Sequence, residues 1–200
     1  KNNPMPNLFD YYTDLLNWEG VTPIPLIHTW PIPLRQSIEA DIVAAVASSG
    51  IKGTNCPIRP GSTNQSIGNQ VEEYTISLLQ RHTSVYTIGP CSGAGYPDKT
   101  LTERATRLKM PLEVKATSDW NPSDSNRRVL TSSSTKLRSQ FKAPIHHLLM
   151  TILYSPTASH ATIDAIRLDF IEPSTSVSVR LEASVNHKIL SNGPHYTKVI

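Results

Sequence analysis

Residues 96–117 read YPDKTLTERATRLKMPLEVKAT, and the fold turns on how this stretch is read. Its second half, MPLEVKATS (110–118), has the alternation of a strand. Successive side chains of a strand point to opposite faces, so Leu112, Val114 and Ala116 share one face. Glu113 and Lys115 share the other. Asp98 to Leu101 reads as a short strand just upstream, so Asp98 and Glu113 can point at one spot from neighbouring strands. Two carboxylates there suit a hard divalent cation such as Mg²⁺, and the backbone carbonyl of Val114 offers a third oxygen. Lys115 lies one side-chain step from Glu113. Its ammonium there can orient or help deprotonate a water and offset phosphate charge. Carboxylates, metal and lysine at one point suit in-line attack of water on a phosphodiester.

Upstream, SVYTIG (84–89) reads as a strand closed by Gly89-Pro90, and CSGAG (91–95) as a glycine-containing loop. NQSIGNQVEEYTISLLQRH (64–82) has helical period, with Ile67, Val71, Tyr74 and Leu78 on one face and Leu79 beside it. The wheel leaves Glu72 at the edge of that stripe and Glu73 on the solvated side. Residues 51–63 read as loop. Residues 34–49 form a helix ended by Gly50, and residues 7–18 another. Between them the prolines from Pro23 to Pro33 predict an extended surface segment.

Downstream, STKLRSQF (134–141) predicts a short helix. HHLLMTILYS (146–155) predicts a strand covered on both faces. Its adjacent histidines, His146 and His147, point to opposite faces and pack rather than share an ion. Residues 163–173 and 175–185 predict two antiparallel strands, and the tail from Asn186 reads as irregular. Helices, strands, a crossover and a final hairpin make an α/β chain with a mixed sheet. The chain reads as one domain over 1–200: a helical and loop region at 1–63, a core at 64–155, and strands at 156–200.

The 200 residues carry 19 Lys+Arg and 16 Asp+Glu, a formal charge of +3. Residues 99–142 hold ten of the bases and four of the acids, so the positive charge is concentrated there. A basic central segment fits a polyanion partner as well as an ordinary solvated surface. No apolar run is long enough to span a membrane. The opening KNNPMPNLFDYY has no apolar leader and does not begin with Met, which leads us to expect a trimmed start and an intracellular protein. Cys56 and Cys91 are too few for a disulfide framework and lack zinc-site spacing. CSGAG lacks the Gly-Lys-Ser/Thr ending of a phosphate loop, so no nucleotide cofactor is expected.

GYPDKTL (95–101) followed by PLEVKAT (111–117) resembles the PD-(D/E)xK nuclease superfamily, and type II restriction endonucleases within it. The resemblance covers roughly residues 64–155. It implies a restriction-endonuclease-like core, a mixed central β-sheet flanked by helices. It implies Mg²⁺-dependent hydrolysis of double-stranded DNA that leaves a 5′-phosphate and a 3′-hydroxyl. On that pattern Asp98 and Glu113 are metal ligands, joined by the Val114 carbonyl, and Lys115 is the catalytic lysine. Glu72, in a Gly-x-x-x-Glu pattern with Gly68, is the helix carboxylate that completes or organises the site. DNA contacts are expected after the Glu-Val-Lys strand, from Asn126, Arg127, Arg128, Ser132, Ser133, Ser134, Lys136 and Arg138. The expected assembly is a homodimer on a short palindromic site, and the expected location is the prokaryotic cytoplasm. The competing readings are a repair or junction nuclease of the same fold, a non-catalytic DNA-binding domain, and a basic structural protein.

Overall fold

The computed structural model describes residues 7–120, 128–130, 133–177, 188–190 and 196–200. It is mixed α/β, with a seven-stranded mixed sheet flanked by helices. The main path runs β1 (Asn55–Pro57), β7 (His160–Ile171), β6 (His147–Pro156), β4 (Lys109–Thr117), β3 (Lys99–Glu103), β2 (Tyr86–Pro90). β9 (Tyr196–Val199) joins the same side of β7 as β1, farther along that strand. β4 and β6 pair in parallel; the other pairs are antiparallel. A separate two-stranded ladder pairs β5 (Arg128–Leu130) with β8 (Lys188–Leu190).

Each face of the sheet has its own core. α2 (Ile32–Ser49) and α3 (Asn64–Leu79) cover one, against Leu112, Val114, Ala116, Met150 and Ile152. α1 (Leu8–Trp18) and α4 (Thr135–Gln140) lie over the other, where Tyr11, Tyr12, Leu16, Leu137 and Phe141 meet Leu149 and Tyr96. β4 therefore separates two cores, with its apolar residues on the α3 side, as the alternation predicts. Pro111 stands opposite Thr100 and just before the stretch of β4 paired with β6, so its missing N–H falls outside that ladder.

The structure departs from the sequence reading in several places. α2 begins at Ile32, because Pro33 sits in the first turn, where no N–H is needed. The proline-rich segment is extended but not superficial: Leu26, Ile27 and Trp30 are buried. It runs beside the entry to β6, with the His28 N–H donating to Ile145 O at 2.8 Å and the Trp30 indole to His147 O at 3.2 Å. Residues 55–57, expected in a loop, form β1; three residues are too few to display alternation. α3 ends at Leu79 and buries Thr75 and Ile76, leaving Tyr74 and Leu78 half-buried. The expected partner strand at 175–185 is absent over its described part. Residues 178–187 lie outside the described residues, and Ser176 makes only an isolated bridge to Asn7. The outer strand on β7 is instead β9, from the tail expected to be irregular.

Two buried polar groups tie helices and straps to the sheet. Asp41 of α2 accepts the backbone N–H groups of Ser84, Val85 and Tyr86 and the Ser84 hydroxyl, all at 2.9–3.1 Å. Burial pushes its carboxyl up, but those donors outweigh burial and hold it below the ordinary range. Asp41→Ala should cost about 2–4 kcal/mol in urea unfolding, because it leaves three N–H groups without their acceptor.

His147 is fully buried between the stacked rings of Tyr12 and Tyr96. Its Nε2–H donates to Leu26 O at 2.7 Å, so its Nδ1 is free to accept the Tyr96 hydroxyl at 2.6 Å. Burial pushes its pKa down to about 4. A histidine depressed in the folded state contributes stability above its unfolded pKa and loses it as pH falls. Unfolding free energy should therefore drop by about 3 kcal/mol between pH 6.5 and 4 from this group. His147→Gln keeps a donor and an acceptor but cannot titrate, so it should flatten that part of the profile in denaturant titrations.

Candidate active site

The site forms where β3 and β4 part. They pair from Lys99↔Leu112 to Thr102↔Lys109. Beyond Leu112, β4 continues to Thr117 with β6 on one edge and, among the described residues, no strand on the other. Side-chain carboxylates take over the backbone donors that β3 leaves. Glu113 accepts the Asp98 N–H at 3.1 Å, and Glu72 of α3 accepts the Ala116 N–H at 3.0 Å. The Ala116 carbonyl faces the same open edge, 3.9 Å from where a Cβ on Gly68 would stand. Strand alternation then turns the Val114 carbonyl, two residues earlier, onto that edge as well.

Lys115 lies among the acids. Its Nζ is 2.6 Å from Glu113 Oε1 and 3.8 Å from Asp98 Oδ2. Glu113 is buried, its side chain 3% exposed, whereas that of Asp98 is 54% exposed and opens to solvent. Burial raises the Glu113 pKa, with Lys115 opposing and Asp98 adding. Burial likewise raises Glu72, to about 7, against the pull of Lys115 and the Ala116 N–H. For Lys115 burial acts downward, but Glu113, then Asp98 and Glu72, outweigh it and hold the ammonium above its ordinary range. In the metal-free protein Lys115 is therefore a charged group rather than a base. Three mutually repelling carboxylates share one ammonium.

The donor set fits Mg²⁺. Among the described residues no three His, Cys, Asp or Glu are drawn together tightly enough to hold a metal by themselves. Mg²⁺ asks less, since it keeps several waters and takes one or two carboxylates. Asp98, Glu113 and the Val114 carbonyl supply hard oxygens, and an ammonium already sits between the two carboxylates where positive charge is needed.

The structure brings Asp98, Glu113, Lys115, Glu72 and Val114 together. The expected DNA contacts fare differently. Asn126, Arg127 and Ser132 lie outside the described residues, and Arg128 is placed only by its backbone in β5. Ser134 is buried; its N–H donates to Glu19 at 2.8 Å and its hydroxyl also bonds that carboxylate. Ser133 is exposed and bonded to the Thr135 hydroxyl, and it also hydrogen-bonds Glu19. Arg138 donates to Ser134 Oγ at 2.7 Å and lies 4.0 Å from Glu19. Together they fasten α4 to the end of α1, so in the free protein Ser134 and Arg138 are engaged within the molecule. Lys136 donates to Gly93 O at 2.8 Å and Gly95 O at 2.7 Å, bracing the loop that leads to Asp98. The sequence reading missed Glu19 and Tyr96. Acid-to-serine pairing across 115 residues leaves no local signal.

No protein-family model matches the chain, and no curated protein matches it.

A carboxyl raised in the folded state favours stability below its unfolded pKa and withdraws it as pH rises through the folded value. Raising the pH from about 5 to 8 without metal should therefore cost stability through Glu72. Glu72→Gln keeps the acceptor for Ala116 and removes the charge. It should melt above the wild type at pH 8 and close to it at pH 5 in thermal scans.

Proposed function

We propose that the chain is a Mg²⁺-dependent endonuclease on double-stranded DNA, a type II restriction endonuclease with a restriction-endonuclease-like core. The observation that carries this reading is the group at the open edge of β4: two carboxylates with the Lys115 ammonium between them, 2.6 and 3.8 Å away, and a half-buried acid from α3 behind. Structural ion pairs are more often closed and satisfied. Here one acid is exposed and another is held near neutrality by burial and by its neighbours.

In this reading Asp98, Glu113 and the Val114 carbonyl would hold Mg²⁺, which when bound would supply charge stabilisation to the reacting phosphate and lower the pKa of a water. Lys115 orients the attacking water and offsets the charge that builds on the phosphate. Glu113 fixes Lys115 by its short contact and fixes Asp98 by accepting its N–H. Glu72 holds the edge of β4 in place. A P–O bond forms from water in line with the departing 3′-oxygen. The P–O3′ bond breaks, and the proton shed by water leaves a 3′-hydroxyl and a 5′-phosphate. Two copies, one per strand, would match a palindromic site. Such an enzyme works in the prokaryotic cytoplasm.

The test is incubation with unmethylated phage DNA in Mg²⁺ or in EDTA, resolved on a gel. Discrete Mg²⁺-dependent bands are expected. Asp98→Ala, Glu113→Ala and Lys115→Ala should each lower cleavage by roughly a hundredfold or more while DNA binding persists. Wild-type rates in all three would remove the assignment.

A further inference from the structure

A second feature lies along the same strand. β4 begins at Lys109, and Lys109, Pro111, Glu113 and Lys115 share the face turned toward α4. At the Lys109 end of that face a cavity of about 690 Å³ opens between the β3–β4 turn and the segment after α4. Arg107, Lys109 and Lys142 bring three positive charges to its wall, and Gln140 adds an amide; Leu108 and Pro144 form its apolar side. All three cations are exposed, and none is in an ion pair among the described residues. The single acid on the wall, Glu103, is hydrogen-bonded by the Thr106 hydroxyl. Arg107 is the one positive-φ residue other than glycine among the described residues, at +64°, in a turn closed by its N–H on Glu103 O. A long side chain held in this uncommon backbone region is a position to examine for function.

The cavity and the candidate active site are joined by β4, which carries Lys109 on the wall of one and Glu113 and Lys115 in the other. Glu113 lies four strand steps beyond Lys109, about 13 Å at the usual rise. DNA places a phosphate on each strand about every 3.4 Å of axis, so the offset matches roughly four base pairs. Exposed, unpaired cations with long stems are the groups that exchange counterions with a phosphate backbone.

We propose that the cleft of Arg107, Lys109 and Lys142 is a phosphate-backbone subsite that grips duplex DNA about four base pairs from the phosphodiester held at Asp98, Glu113 and Lys115. It rests on the DNA reading above. It moves the anchoring from the residues after β4, where the described lysine and arginine are engaged within the protein, to the beginning of that strand.

The experiment is fluorescence anisotropy of a mixed-sequence 20-base-pair duplex in EDTA, over a range of salt. The variants are the triple Arg107→Ala/Lys109→Ala/Lys142→Ala, its charge-keeping counterpart Arg107→Lys/Lys109→Arg/Lys142→Arg, and Arg59→Ala/Arg81→Ala on the surface beside α3. The alanine triple should bind tenfold or more weakly near 0.1 M salt, with the slope of log K against log salt shallower by about 2–3. The charge-keeping triple and the Arg59/Arg81 pair should stay close to wild type. All three sets lie on exposed side chains, so thermal melting should be unchanged. Wild-type affinity and slope in the alanine triple would overturn the subsite, and Mg²⁺-dependent cleavage would still stand for the nuclease. An equal loss in the Arg59/Arg81 pair would overturn it too, as a mere net-charge effect. No salt-dependent binding by the wild type would overturn both.

Discussion

The parting of β3 from β4 after Leu112 governs the arrangement of this molecule. A strand that loses its neighbour exposes N–H and C=O groups that must find other partners. Here the replacements are carboxylates. Glu113 takes the Asp98 N–H, and Glu72 takes the Ala116 N–H. Each acid is thereby committed to a backbone position and brought within reach of the others. The cluster of negative charge is thus a direct consequence of how an open strand edge is satisfied. Lys115 then follows from the period of the strand, since it shares a face with Glu113 and has nowhere nearer to place its charge.

The rest of the fold holds that fork open. α3 lies on the apolar face of β4 and reaches round its edge with Glu72. On the other face the approach to Asp98 is immobilised from below and from the side. Tyr96, two residues before Asp98, stacks on His147 and donates its hydroxyl to that ring, which in turn is fastened to the strap at Leu26. Lys136 pins the preceding glycine loop through two carbonyls. Burying a histidine and two tyrosines beneath a site costs desolvation. It fixes the position of Asp98 with neutral groups that do not compete for the charge above.

The sequence was most informative where one period or one short spacing carried the message. The face of β4, the helix at α3, and the preference for Glu72 over Glu73 all follow from alternation or from a wheel. The structure has Glu72 half-buried against Ala116 and Glu73 exposed, although α3 buries Thr75 and Ile76 more fully than Tyr74 and Leu78. What stayed hidden depends on distant segments. The strap at 21–31 looks like a proline-rich surface stretch because nothing local says that Leu26, Ile27 and Trp30 will lie against β6. β1 and β9 are too short to show a pattern and exist because β7 offers them an edge. The same holds for the basic residues after β4. Their density suggests a polyanion, yet Arg138 turns to Glu19 and Ser134, and Lys136 turns to carbonyls, through contacts that no local pattern encodes.

The charge balance at the fork carries one step further. Three carboxylates and one ammonium leave an excess of negative charge at a corner where Glu113 is buried, Glu72 half-buried and Asp98 exposed. Burial answers by keeping Glu72 near the point of protonation at neutral pH. A second cation would relieve the same repulsion in another way, by favouring the ionised acid. A cation bound there would therefore compete with the proton for one electrostatic deficit. The ammonium of Lys115 cannot fill that role alone, because its contact with Glu113 is short and that with Asp98 is long. Asp98 keeps an exposed carboxylate turned to solvent, and that asymmetry leaves the uncompensated negative charge on the open side of the fork.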